Sequence, residues 1–310
     1  MEKLVSVLQI VTPVVLMLLI GIFARRKSLI SDTGVADMKT VLLSFCIPAV
    51  LFNTFYSTDF TWTSALLCAV MAVITVAAWL LGFAAQRLLR VDQFMMPYLC
   101  TSLEGGMMGF ALFILLFGQE NLYHLALLDL GHMLVLSPFL LTKLRLRSQS
   151  EISPRTILKN VATPINVSIL CGLLVSVSGL GRLLRNTAFA LVLNDSLTFV
   201  SGPTGAMILL IVGYRLDFSN VRWSETLKTI AARMAIFAVF GTAVFLLVGR
   251  LFPADPIYGY GAIMAFILPP TFMYSVFVKG EQEEAFVGSV LAVYTLISLV
   301  GYGALAWLAA

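Results

Sequence analysis

The sequence predicts an all-α polytopic membrane protein: ten transmembrane helices forming a five-plus-five inverted repeat, with helices four and nine broken. Composition, the placement of charge, and features that recur at the same ordinal place in each half lead to this reading. Of 310 residues, 60% are apolar and 12% charged, with a mean hydropathy of +0.97. Soluble domains run near 45–50% apolar and about 25% charged. At about 21 residues per crossing, ten helices use about 210 residues, which leaves no room for a large soluble domain.

Leu4 to Ala24 forms the first apolar run. Arg25-Arg26-Lys27 follows it, and it lacks a basic leader and a small-residue cleavage site, so it reads as a retained helix. Val41 to Phe55, Trp62 to Ala85, Phe94 to Gly118 and Leu122 to Leu141 complete the first half. Val161 to Leu180, Ser196 to Tyr214, Ile230 to Phe252, Ile257 to Val278 and Phe286 to Ala309 make the second. With this parsing, sixteen of the 20 Lys and Arg fall on one side of the membrane, and only Lys3, Arg182, Arg185 and Arg250 on the other. The positive-inside rule then places both termini on the extracytoplasmic side of the plasma (inner) membrane. The chain divides into a first repeat at 1–142, a basic connection at 143–160 that lies on cytoplasmic lipid headgroups, and a second repeat at 161–310.

Helix one carries Thr12-Pro13 with Gly21 eight residues after the proline, and helix six carries Thr163-Pro164 with Gly172 at the same spacing. A polar connection follows each of these helices, and Pro48 and Pro203 interrupt helices two and seven. Five helices per half is an odd number, so the halves must have opposite orientations.

Helix four reads Glu104-Gly105-Gly106-Met107-Met108-Gly109 near its middle, and helix nine reads Leu268-Pro269-Pro270-Thr271. Adjacent prolines remove backbone donors and clash with the preceding turn, while glycines ease non-helical dihedrals. Both segments are expected to unwind, which membranes tolerate only where backbone is buried in protein or lines a wet cavity. The plainer alternative is a Gly105–Gly109 packing face and an ordinary proline kink.

Ile22-Phe23-Ala24-Arg25-Arg26-Lys27-Ser28-Leu29-Ile30-Ser31, Ile47-Pro48-Ala49-Val50-Leu51-Phe52 and Pro269-Pro270-Thr271 together resemble the auxin efflux carrier family. That family includes plant PIN-formed carriers and bacterial proteins described as malate or malonate permeases. The resemblance spans nearly the whole chain. It implies that broken helices four and nine cross, that the substrate site lies at the crossover, and that the substrate is a small organic carboxylate. The chain departs from the bacterial pattern in helix four, where Glu104 replaces an Asn and Ala111 a Pro.

Unwound half-helices present N-termini that favour a carboxylate, whereas an ionised Glu104 beside them opposes one. Glu104 is therefore expected to exchange a proton or to pair with a cation. Asp129 and His132, three residues apart on one helix face, extend the proton-coupling candidates; the bland reading is that they bond one another. Glu104, Gly105, Gly106, Pro269, Pro270, Thr271 and Asn53 are the candidate substrate-binding residues, although Asn53 and Asn166 could equally bridge helices. Cys46, Cys68, Cys100 and Cys171 lie in apolar runs as packing residues, His124 near a membrane interface, and Glu281, Glu283 and Glu284 in a solvated acidic turn.

The reading is a secondary active transporter of a small organic anion, working by alternating access and coupled to a proton. A cation or cation-coupled carrier with Glu104 as ligand, and a channel or receptor, are the competing classes. With two histidines and no GxSxG, HExxH, GxGxxG or Walker pattern, an enzyme, a metal or a cofactor is not indicated. The net charge of +4 follows topology and implies no nucleic-acid partner. Membrane lipid is the other partner, and the oligomeric state is left open, a homodimer included.

Overall fold

A computed structural model describes residues 2–147, 162–184, 187–216 and 221–309. Among these there is no strand, and eight helices are long and apolar enough to cross a membrane. The chain is an all-α polytopic membrane protein. Most of the basic connection at 143–160 lies outside the described residues.

Helix α1 (Glu2–Arg26) ends on Arg25 and Arg26, whose charge suits the C-terminal end of the helix dipole. Helix α2 (Asp32–Ser57) starts well before the expected Val41. Ser31 caps it by accepting the Gly34 N–H at 3.0 Å, and Val35 is fully buried. The polar residues Asp32 and Asp37 lie on its exposed side and disguised this amphipathic first stretch as a connection. A wide turn at Leu42–Cys46 precedes Pro48, where an ordinary turn would bring the proline ring against the carbonyl four residues back.

Thr61 and Ser64 form a reciprocal capping box at the start of α3 (Trp62–Leu89). Two short helices, α4 (Met96–Leu99) and α5 (Gly105–Phe117), make up the expected broken helix four, but the break lies at 100–104 and the Gly105–Gly109 run expected to unwind is instead a wide helical turn. They are followed by α6 (Tyr123–Leu146) and α7 (Pro164–Val177), the latter capped by Thr163 with Pro164 in its first turn. Helix α8 (Ala188–Arg215), capped by Thr187, turns at Gly202-Pro203 and also begins earlier than expected. The remaining elements are α9 (Trp223–Leu251), α10 (Ile257–Ile267), a single 3-10 turn at Phe272–Val276, and α11 (Gly280–Ala309).

Helix α1 packs on the second half of α8, and α7 packs on the second half of α2. Glycines permit both contacts. A Cβ on Gly21 would stand 2.2 Å from the Leu210 carbonyl oxygen, and one on Gly172 would stand 2.9 Å from Phe55 Cβ. The two glycines that recur eight residues after a Thr-Pro pair thus do the same work on two helix pairs. Exposed Phe199, Leu88 and Val300 lie on outward faces, where a bilayer rather than water would meet them.

At one end Glu283 is buried, not solvated as expected for the acidic turn. It accepts the Lys279 N–H at 2.6 Å and pairs with Arg147 at 2.7 Å, while Lys279 Nζ donates to the Arg147 carbonyl. These contacts tie the end of α6 to the start of α11. At the opposite end of α6, His124 Nε2 meets Asp255 Oδ2 at 2.8 Å, half-buried against Tyr258. Cys46, Cys68 and Cys100 are buried as packing residues, but Cys171 is exposed on the outer face of α7.

Candidate functional site

Between α4 and α5 the chain leaves helical geometry, and it does so again after α10, where Leu268 takes an extended conformation (φ −62°, ψ 149°). A residue before proline is pushed out of the helical region, so Pro269 dictates the stop. The two irregular segments lie against each other. The Glu104 N–H donates to the Pro269 carbonyl at 2.9 Å, and the Thr271 N–H donates to Ser102 Oγ at 3.1 Å. Each segment thereby satisfies backbone groups of the other, in a place with no strand to do so.

Four half-helix ends meet at this junction, and two buried ionisable side chains, Arg233 and Glu104, serve them. Arg233 of α9 is wholly buried and reaches the two C-terminal ends: Nη1 donates to the Leu99 carbonyl at 2.7 Å and Nη2 to the Leu268 carbonyl at 2.8 Å. Its guanidinium lies 3.9 Å from the Phe237 ring centre and 4.7 Å from that of Tyr294. Glu104 serves the two N-terminal ends. Oε1 accepts the Met107 N–H at 3.2 Å and Oε2 accepts the Phe272 N–H at 2.6 Å. A cation at carbonyl ends and an anion at N–H ends are each the favourable choice for the peptide dipoles. The fork of an arginine, with donors in one plane, suits two carbonyls at once.

The charge count from the sequence put Arg233 among the residues of the basic side. It instead lies ten residues into α9, about 15 Å along its axis, inside protein. The signal was present as the one charge in Ala231-Ala232-Arg233-Met234-Ala235. Because helix eight was expected to begin at Ile230, that arginine looked like part of its first turn.

Of the other expected site residues, Pro269, Pro270 and Thr271 are buried at the junction. Gly105 faces Asp129, since a Cβ there would stand 2.4 Å from the Asp129 Cγ. Gly109 faces Leu268, so both glycines of the alternative packing reading do mediate close approach. Gly106 differs from both, because an added Cβ would find nothing within 4 Å. Lys39 of α2, half-buried, is near enough to act electrostatically on Glu104 and on Arg215 of α8. Asn53 stands on α2 with its Oδ1 buried and unpartnered, and no hydrogen bond among the described residues joins it to the junction.

Asp129 and His132 do not bond one another. The Leu103 N–H donates to His132 Nε2 at 3.4 Å, so Nε2 is an acceptor. Nδ1 must then carry the hydrogen, which points to Thr75 Oγ1 at 3.2 Å; that hydroxyl in turn donates to the Met71 carbonyl at 2.7 Å. The chain of donors is complete with a neutral imidazole. His132 therefore ties the unwound segment to α3, leaving Glu104 and Asp129 as the acids beside Gly105.

A groove of about 610 Å³ between α9, α10 and α11 borders the junction on its Arg233 side, sharing Phe237 and Tyr294 with it, and its outer wall, with Phe245 and Val300, is exposed apolar surface. Its chemistry suits lipid chains more than a polar solute. Comparison with family models and with curated proteins finds no match for the chain.

Proposed function

We propose that this chain is a secondary active transporter of a small organic anion, a carboxylate, which acts by alternating access around the junction of the broken helices. The junction itself carries the reading. Two interrupted helices meet through bare backbone, with one buried carboxyl group and one buried guanidinium at their four half-ends. Irregular backbone inside a membrane protein is costly and is characteristic of sites where a solute binds.

In this proposal the ten crossings comprise seven long helices, α10 continued through its break to Val276, α7 and the α4–α5 pair. The reciprocal packing of α1 on α8 and α7 on α2, through Gly21 and Gly172, supports a five-plus-five inverted repeat. The sequence likeness to the auxin efflux carrier family, set out above, supports the carboxylate. So does Lys39, a cation of α2 that acts electrostatically on Glu104 and has Arg215 of α8 near it. Proton coupling is part of the proposal because buried acids at such a place mark proton or ion pathways. The plasma membrane, with both termini outside, follows from the charge bias.

Purified protein in proteoliposomes should take up labelled malonate or malate saturably, and internal unlabelled substrate should accelerate entry of the label. A channel gives uptake without counterflow, and a receptor gives neither. The adjacency of Glu104 and Asp129 favours a second reading, a carrier that binds a cation at these acids. Failure of every carboxylate together with saturable uptake of a labelled cation would replace the first reading by the second.

A further inference from the structure

Asp129 is 5% exposed, its Oδ1 has no partner, and no hydrogen bond or ion pair among the described residues engages its carboxyl group. It is pressed against the backbone of Gly105, where even a methyl group would collide with it. The groups that face it from neighbouring elements are few. Glu104 comes from the junction and couples to it electrostatically. Cys68 of α3 lies on the opposite side of α6, against Gly131, with its thiol donating to the Leu127 carbonyl at 3.5 Å. His132, on its own helix, has both nitrogens committed. Lys39 of α2 acts on Glu104, and Arg233 of α9 acts on His132 and is spent on two carbonyls. From α10, Tyr258 and the nearby Asp255 meet His124 at the far end of α6.

Glu104 and Asp129 are therefore two buried acids with opposite surroundings. Each oxygen of Glu104 accepts a backbone N–H, which stabilises the carboxylate. No donor supports an Asp129 carboxylate, and two neighbouring buried carboxyls resist double ionisation. Resting on the transport reading above, we infer that Asp129, and not Glu104, holds and releases the coupling proton, while Glu104 stays ionised as the fixed cap of the junction. In the cycle the Asp129 carboxylic acid loses its proton to water on the side to which the site opens, becoming a carboxylate. It takes a proton back from water on the other side, and no other bond is made or broken.

Infrared spectroscopy of the full-length protein at neutral pH tests the assignment without any substrate. The carbonyl stretch of a protonated carboxylic acid should be present in the wild type, absent in Asp129→Asn and retained in Glu104→Gln. Its absence from the wild type, or its loss in Glu104→Gln with retention in Asp129→Asn, overturns the inference. Asparagine matches the protonated acid in size, so Asp129→Asn should fold; in proteoliposomes it should lose pH-gradient-driven uptake by about tenfold or more while keeping counterflow. Gradient-driven uptake at the wild-type rate in that variant overturns the coupling role. A carboxylic-acid band assigned to Asp129 in a protein that transports no carboxylate would leave the proton assignment standing and remove the transport reading instead.

Discussion

Gly105 and Gly106 are adjacent and chemically identical, yet their surroundings demand different things of them. Neither has a left-handed backbone, so alanine meets no conformational strain at either position. At Gly105 the new methyl would lie 2.4 Å from the Asp129 carboxyl carbon, and the side chain on α6 would have to shift. Overpacking of this kind costs about 1–3 kcal/mol. At Gly106 the methyl enters open space, and alanine's better helix propensity offsets part of any loss. Thermal unfolding in detergent should therefore show Gly105→Ala clearly destabilised and Gly106→Ala close to wild type. Equal effects would mean that the Asp129–Gly105 contact does not constrain the junction. The sequence grouped these glycines as one flexible element, because nothing in the run Gly-Gly-Met-Met-Gly tells which glycine faces a carboxyl on another helix.

At the scale of elements, the interest is in how half-helices are held without a continuous backbone ladder. Arg233 is the only side chain among the described residues that bonds the C-terminal carbonyls of both α4 and α10. Truncating it to Met removes two charge-assisted hydrogen bonds, each of about 1.5–3 kcal/mol, and leaves two buried carbonyls unsatisfied. Lysine carries the charge on a single ammonium and lacks the planar fork, so it should restore only part of the loss. The expected order of melting temperature is wild type, then Arg233→Lys, then Arg233→Met, with the last recovering poorly as a monodisperse protein. A stable Arg233→Met protein would show that the half-helix ends are held by packing alone. Helix ends themselves were legible where local chemistry sets them, as with Thr163-Pro164 before α7. They were misread at α2, where Ser31 starts a helix inside a stretch that hydropathy alone classes as polar, and at α8, where Asn194-Asp195 interrupts an apolar run that Thr187 already caps.

For the whole molecule, orientation rests on the bias of Lys and Arg, and moving Arg233 into the interior leaves fifteen basic residues on the crowded side against four on the other. The expectation of external termini is therefore unchanged. A cysteine placed beside Ala310 should react with an impermeant thiol reagent in intact cells, and one in the 143–160 connection should not; the reverse labelling pattern would invert the topology. Cys171 should be replaced first, since it is exposed in the native chain.

The sequence by itself determined the membrane character, the all-helical architecture and the break at Pro269-Pro270, while the other break falls at 100–104, just before the glycine run that was expected to unwind. These follow from hydropathy and from the absence of a proline N–H, both of which act within a few residues. It also placed Glu104 at a break. Only the tertiary structure decided what that carboxylate does, because its second partner, the Phe272 N–H, is 168 residues away. The same holds for Arg233, which bonds Leu99 from 134 residues further along the chain, and for His132, turned to Thr75 and not to Asp129. Periodicity tells which residues share a helix face but not which neighbour that face meets. In a protein whose helices are apolar nearly all round, the hydrophobic pattern is too even to orient them, and the sparse buried hydrogen bonds make the choice.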